Sequence, residues 1–350
     1  MTEYRFGGPI FIGGCPRSGT TMLGAMLANA PGCVTTPESH FKHALIARCA
    51  DKPLTREQLM KFLAQSNEIA FWELPLKELA LWVNNYPNEI TLDHVPALLN
   101  EIVYRYDQRA GTRLAQPASS PHLLRWVDHT PMNIEAFKTL LGLYPDAQLI
   151  HIVRDPRAVA ASVFGLPWGP NDALAFGSWW PHYVNAGLSL QNALPDRVLL
   201  IRYEDLLKDP QFTLKKTCQF LALQFSSDLV CGQRYRSPQH SLSQHALVGK
   251  PPAAERADAW QQELRARDQA HIESVCGPLM QKLGYAITPP FIARARGSTL
   301  MWYLSIIYKR ARGSLRRKAL RRERFALAQQ IRSRQPQGGI GGPSDGGSSD

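Results

Sequence analysis

Residues Gly14-Cys15-Pro16-Arg17-Ser18-Gly19-Thr20-Thr21 follow the apolar run Pro9-Ile10-Phe11-Ile12-Gly13 and precede Met22-Leu23-Gly24-Ala25-Met26-Leu27. A strand, a glycine-bounded loop and a helix start in immediate succession place backbone N–H groups around an anion at a helix N-terminus. That unit belongs to α/β proteins. The spacing G-x-x-x-x-G matches a nucleotide P-loop, but the lysine that follows the second glycine in that motif is here Thr20. The loop is built to hold a phosphate and lacks the cation that reaches the β- and γ-phosphates of ATP or GTP.

A second element of the same kind lies downstream. Leu149-Ile150-His151-Ile152-Val153 reads as a buried strand that ends at Arg154-Asp155-Pro156-Arg157. Pro156 suits the first turn of a helix, where its missing N–H has no intrahelical partner to lose. The helix continues as Ala158-Val159-Ala160-Ala161-Ser162-Val163, with Ser162 two turns in. The guanidinium of Arg154 and the hydroxyl of Ser162 can grip a second phosphate.

With these residues the chain resembles the sulfotransferases that use 3′-phosphoadenosine 5′-phosphosulfate (PAPS). Pro16 to Thr21 match the family's 5′-phosphosulfate loop, P-[KR]-S-G-T-T, and Arg154 to Ser162 match its 3′-phosphate element, R-D-P-R-x-x-x-x-S. Arg202-Tyr203-Glu204-Asp205-Leu206 with Asp209-Pro210 is similar to its Y-E-D-L…D-P stretch, and Leu283-Gly284-Tyr285 to its last landmark. The ordered set implies a P-loop-type three-layer sandwich with a central, mostly parallel sheet flanked by helices. It also implies transfer of a sulfuryl group from PAPS to a hydroxyl, with no metal. Pro16, Arg17, Ser18, Gly19, Thr20, Thr21, Arg154, Ser162 and Tyr203 would bind the donor. PAPS has no γ-phosphate, so threonines at positions 20 and 21 can donate to the 5′-phosphate without an ammonium. Arg17 takes the place of the family's basic loop residue. It either stabilises charge on the bridging oxygen as the S–O bond breaks, or only clamps the phosphate in the ground state.

The acceptor hydroxyl needs a base. Cys33-Val34-Thr35-Thr36 reads as a second strand, and Pro37-Glu38-Ser39-His40 leaves its carboxyl end, where α/β sheets bind ligands. Glu38 resembles the acidic residue that serves as base in tyrosylprotein sulfotransferases; the competing reading is a solvated Glu at the start of the next helix. His129 stands where relatives often carry a lysine. It can assist the leaving oxygen when protonated, act as base, or cap the helix beginning near Pro131, and Asp128 is its neighbour for orienting the ring. Lys250, followed by Trp260, resembles a late lysine that returns to the cofactor's 3′-phosphate region; a mobile surface lysine is the alternative. For Tyr203 the alternative is a strand-end tyrosine that supports the fold. His40 and His43 fit acceptor-site or surface positions. The ten histidines show no metal-ligand spacing.

The coarse reading is strand 9–14, helix 20–30, strand 33–36, a helical insertion about 41–115, a polar loop 112–122, helix 131–143, strand 148–153, helix 156–164, helix 172–193 and strand 197–202. The insertion and the loop 164–172 are expected to shape the acceptor pocket. The sulfotransferase domain would span 1–292, an apolar and basic helical extension 293–334, and a disordered Gly/Ser-rich tail 335–350. At 350 residues and 44% hydrophobic, the chain can bury one large core. Scattered cysteines and the absence of a signal-type N-terminus point to a cytoplasmic protein.

Residues 309–334 hold eleven Lys/Arg against Glu323 alone, net +10 in a chain of +11. The apolar, aromatic segment 300–308 just before them is too short to span a bilayer. Together they suit an anionic membrane surface such as the inner one, an acidic partner, nonspecific nucleic-acid affinity or a solvated helix. A P-loop kinase of a small molecule and a non-catalytic nucleotide-binding protein are the alternative functions. The acceptor class stays open among peptide tyrosine, carbohydrate, lipid and small molecule.

Overall fold

The computed structural model describes residues 5–111, 123–238, 248–287 and 299–334. The chain opens with β1 (Arg5–Phe6), β2 (Ile10–Gly13), α1 (Thr20–Leu27) and β3 (Cys33–Thr35). A helical run follows: α2 (His40–Asp51), α3 (Arg56–Gln65), α4 (Asn67–Phe71), α5 (Leu76–Val83) and α6 (Val95–Ala110), with β4 (Leu54–Thr55) and β5 (Glu89–Ile90) pairing antiparallel inside it. Then come β6 (Leu123–Asp128), α7 (Asn133–Leu143), β7 (Gln148–Val153), α8 (Pro156–Val163), α9 (Ala173–Ala193) and β8 (Val198–Arg202). The last elements are α10 (Tyr203–Lys208), α11 (Pro210–Leu221), α12 (Trp260–Glu263), α13 (Ala266–Lys282) and α14 (Thr299–Arg334).

The strands lie side by side as β3, β6, β2, β7 and β8, all parallel, and β1 extends the sheet against β6. Alternation along the strands sends side chains to opposite faces. Phe11 and Leu149 enter a core with α2, α6 and α7, while Ile10, Ile12, Ile150 and Ile152 enter another with α1, α10 and α11. Both faces are covered, so the central strands read as near-continuous apolar runs. A third cluster joins α8, α9 and α13 beside β7.

β6 is the strand that apolar runs do not reveal, because Arg125 and Asp128 interrupt it. Tertiary partners compensate: Arg125 Nε donates to the Gly8 carbonyl at 2.8 Å and Nη2 to Gln148 Oε1 at 2.9 Å. Helix ends are set locally. Thr55 and Gln58 form a reciprocal capping box at the start of α3, an arrangement that stabilises a helix by about 1 kcal/mol. α9 lies close enough to β7 that a Cβ on Gly187 would stand 2.1 Å from the His151 ring. Burial pushes that imidazole down to about 3, so it packs as a neutral group.

The basic C-terminal segment is not separate from the domain. α14 folds back over it, with Ile306 and Ala328 buried. Arg310 grips Asp172 through Nε–Oδ2 at 2.9 Å and Nη2–Oδ1 at 3.1 Å. Trp302 Nε1 donates to Asp268 Oδ1 at 3.0 Å, and Arg332 Nη2 to the Ser66 carbonyl at 2.8 Å. Among the described residues no helix is long and apolar enough to cross a membrane. The stretches 112–122 and 335–350 lie outside the described residues.

Candidate active site

A cleft of about 770 Å³ opens at the carboxyl ends of β2 and β7. Its floor is the loop between β2 and α1. Gly19 is the N-cap of α1 at φ +102, and a Cβ there would lie 2.5 Å from the Tyr203 ring. Only glycine fits both the backbone and the space. Arg17 holds φ +74, a strained region for a residue with a Cβ. Ser18, Thr20 and Thr21 are buried, and no side chain caps the first turn of α1. The amides at that end, with their dipole, face the cleft as an anion cradle.

The structure brings the two sequence elements into contact. Arg17 Nε donates to Ser162 Oγ at 3.0 Å, and Arg154 Nη1 donates to the Arg17 carbonyl at 3.0 Å. The Arg154 guanidinium stacks 4.4 Å from the centre of the Tyr203 ring. Burial, and then the neighbouring Arg154, lower the pKa of Arg17. Two crowded guanidiniums favour an anion between or beside them. Arg154 Nε and Ser18 Oγ are buried with no hydrogen-bond partner among the described residues. Orphaned donors beside a cradle of amides fit a nucleotide carrying two separated phosphate groups.

The rest of the R-D-P-R element is scaffold. Asp155 caps α8 by accepting from the Arg157 amide at 2.8 Å. Arg157 is buried between Asp155 (2.6 Å) and Glu273 (2.6 Å) and stacks 4.0 Å from Trp260. The two later landmarks meet at Glu204. It accepts from the Asp155 amide at 2.9 Å and from the Tyr285 hydroxyl at 2.9 Å, locking the end of β7 behind Arg154. Burial raises the pKa of Glu204.

Glu38 lines the same cleft with its side chain one-third exposed, near enough for its charge to oppose the lowering of the Arg17 pKa. Its Oε2 lies 2.9 Å from His40 Nε2. Burial opposes charge on that ring, but the bond to Glu38 and its charge leave the His40 pKa raised. A buried network fixes the segment that carries Glu38. Lys42 Nζ, fully buried, lies 3.2 Å from Asp128 Oδ2 and 2.6 Å from Asn133 Oδ1. Ser39 Oγ donates to Asp128 at 2.6 Å, as does Thr130 Oγ1. Burial works against the Asp128 charge, yet Lys42 and the two hydroxyls hold its carboxyl far below the usual carboxylate range.

His129 departs from what its neighbours in sequence suggest. The Asp128 carboxylate faces Lys42, Ser39 and Thr130, so it does not orient the imidazole. His129 Nε2 instead lies 3.1 Å from the Tyr235 hydroxyl, and Nδ1 has no partner. Burial lowers its pKa, which disfavours a protonated acid. It does not cap α7, whose N-cap is Met132. The ring borders a small side cavity of about 40 Å³ that Glu38 and His40 also line, not the main cleft. Lys250 is exposed and outside the residues lining the cleft.

From the loop 164–172, Leu166, Trp168 and Gly169 line the main cleft. Among the described residues of the helical insertion, Glu68, Phe71 and Trp72 line the side cavity and none lines the main cleft. Sequence reading missed Trp179, Tyr183, Arg256, Leu320 and Arg324 in the lining. None stands in a motif; the chain fold alone gathers them.

The Sulfotransferase family model matches residues 9–227, more than half of the chain. A Caenorhabditis briggsae protein provisionally named protein-tyrosine sulfotransferase is 27% identical over 247 residues, covering 69% of this chain and 70% of that protein. Homo sapiens carbohydrate sulfotransferase 2 is 28% identical over 185 residues, 40% of this chain and 35% of that one. In fold, the chain is similar to the sulfotransferase domain of the Synechococcus PCC 7002 olefin synthase. The TM-score is 0.54 at 24% identity, covering 81% of this chain and 97% of that domain.

Proposed function

The chain belongs to the sulfotransferase family, and from that premise we propose that it transfers a sulfuryl group from PAPS to an acceptor hydroxyl, with Glu38 as base and Arg17 at the leaving oxygen. The observation that carries this reading is the contact of Arg17 with Ser162 and Arg154, beside orphaned donors on Ser18 and Arg154. The first-turn amides of α1 with Ser18, Thr20 and Thr21 would hold the 5′ group, and Arg154 with Ser162 the 3′-phosphate. Tyr203 stacks under Arg154 and fixes its plane.

In this reading the acceptor oxygen forms a bond to sulfur as the bond from sulfur to the 5′-phosphate oxygen breaks. The acceptor proton passes to Glu38, and Arg17 donates to the phosphate oxygen as charge develops there. His129 supports the wall that carries Glu38 rather than touching the acceptor. Lys250 keeps the role of a surface lysine. The acceptor side of the cleft, with Trp168, Trp179, Tyr183 and Leu320, offers stacking and apolar contact to the body of the acceptor.

Radiosulfur-labelled PAPS with phenols, tyrosine peptides, sugars and lipids as acceptors tests the reading. Transfer to at least one of them, lost in Arg17→Ala and Glu38→Ala, is the expected result. Binding of ATP tighter than adenosine 3′,5′-bisphosphate would overturn the donor assignment. Tight bisphosphate binding without transfer to any acceptor would support a binding protein instead.

A further inference from the structure

α14 has two faces of opposite use. Taking about 100° per residue, Trp302, Ile306, Gly313, Leu320, Arg324, Ala328 and Ile331 share one side. That side meets the domain: Ile306 and Ala328 are buried, and Leu320 and Arg324 line the cleft. Leu304, Ile307, Tyr308 and Leu315 share the other side, about a third of the circumference wide, and are 48–69% exposed. Of the eleven large hydrophobic side chains exposed among the described residues, seven lie on α14. The patch is therefore a property of this helix and not of the surface at large.

The outer stripe is set among cations. Arg312 borders it, and Lys318 and Arg322 continue its line toward the C-terminus, all exposed; Arg316 turns toward the Gly165 carbonyl of the domain. Part of the segment's positive charge turns inward, Lys309 to Asp268, Arg310 to Asp172 and Arg332 to the Ser66 carbonyl, and Arg312, Lys318 and Arg322 carry it on the outer side. A covering surface must therefore offer both apolar contact and negative charge. A second copy of this helix brings the same cations and repels. Nucleic acid pairs with the cations and leaves the aliphatic stripe in water. An anionic lipid surface supplies headgroup charge for the arginines and acyl chains for Leu304, Ile307 and Leu315.

We infer that the outer face of α14 is a docking surface for an anionic lipid bilayer, seating the protein by Leu304, Ile307, Tyr308 and Leu315 beside Arg312, Lys318 and Arg322. The inner face of the same helix roofs the cleft, so docking sets the cleft about one helix diameter, ~10 Å, from the lipid surface. The inference does not rest on the assigned reaction.

The test is co-sedimentation of the full chain with phosphatidylcholine vesicles, with or without about one-third phosphatidylglycerol. Three proteins are compared: wild type, L304S/I307S/L315S and K318E/R322E. Thermal unfolding and limited proteolysis confirm that each variant retains α14 on the domain. The wild type is expected to pellet with the anionic vesicles about tenfold more than with neutral ones, and to be released by about 0.5 M salt. Each variant should lose about fivefold or more of that binding. Equal recovery on neutral and anionic vesicles, or folded variants that pellet like wild type, overturns it. Self-association without vesicles that the serine variant abolishes would assign the stripe to a second copy instead and would likewise overturn it.

Discussion

The two walls of the cleft are held by different forces. The wall proposed for the donor is fixed by backbone: Gly19 at φ +102 against Tyr203, Arg17 at φ +74, and a carbonyl of Arg17 taken by Arg154. The wall proposed for the acceptor is fixed by side chains. Glu38 sits at the surface of a buried Lys42–Asp128–Ser39–Thr130 network, and α14 borders the same cleft through Leu320 and Arg324. Backbone constraint tolerates little variation, whereas side-chain contacts can be exchanged without moving the sheet. A fold that keeps one donor and varies its acceptor would divide its constraints in this way.

Three substitutions sharpen that division. Glu38→Gln keeps the shape of the acceptor wall and removes the proposed base. Turnover with saturating donor should fall about 10²–10⁴-fold, while affinity for adenosine 3′,5′-bisphosphate, read by calorimetry, stays within about twofold of wild type. A parallel loss of bisphosphate affinity would mean that the walls are not independent. Arg17→Ala acts on the donor wall and should lower turnover about 10²–10³-fold. If Arg17 is only a clamp, its loss appears in donor KM and leaves kcat nearly intact. Arg324→Ala tests the roof. Its guanidinium borders the cleft from α14, so acceptor KM should rise about tenfold with donor KM unchanged, about the size of one charged hydrogen bond. An unchanged acceptor KM would place the roof outside the acceptor site.

The same division decided what could be read from the sequence. The donor wall is built from contiguous stretches, 14–21 and 154–162, whose local geometry follows from glycine, proline and apolar runs. Its parallel sheet was legible for that reason. β6 was not, because Arg125 and Asp128 carry charge inside a strand and find partners only in the folded protein. Asp128 also shows the limit of adjacency: strand geometry turns successive side chains apart, so its carboxylate meets Lys42 while His129 meets Tyr235. The roof was illegible for a further reason. Inner and outer faces of α14 both carry apolar residues, and the sequence alone suggested one apolar segment followed by one basic one. Only the packing of Ile306 and Ala328 separates the faces.

The smallest expected effect lies in the pair at the edge of the acceptor wall. His40 is within 2.9 Å of Glu38, and although burial opposes its charge, that partner raises its pKa above 6.5. Below the raised value the imidazolium stabilises the Glu38 carboxylate and weakens it as a base. As pH climbs through that value His40 loses its proton, and Glu38 recovers basicity. Turnover in wild type should therefore rise about three- to tenfold across this limb, set against an otherwise flat background. His40→Asn keeps a hydrogen-bond donor beside Glu38 without a titrating charge, and should remove the limb while leaving the plateau rate within about twofold. The same profile measured with Arg17→Ala should keep the limb at a lower rate, because the limb belongs to the contact of His40 with Glu38 at 2.9 Å. A limb that vanishes with Arg17 instead would show that the titration belongs to the donor side.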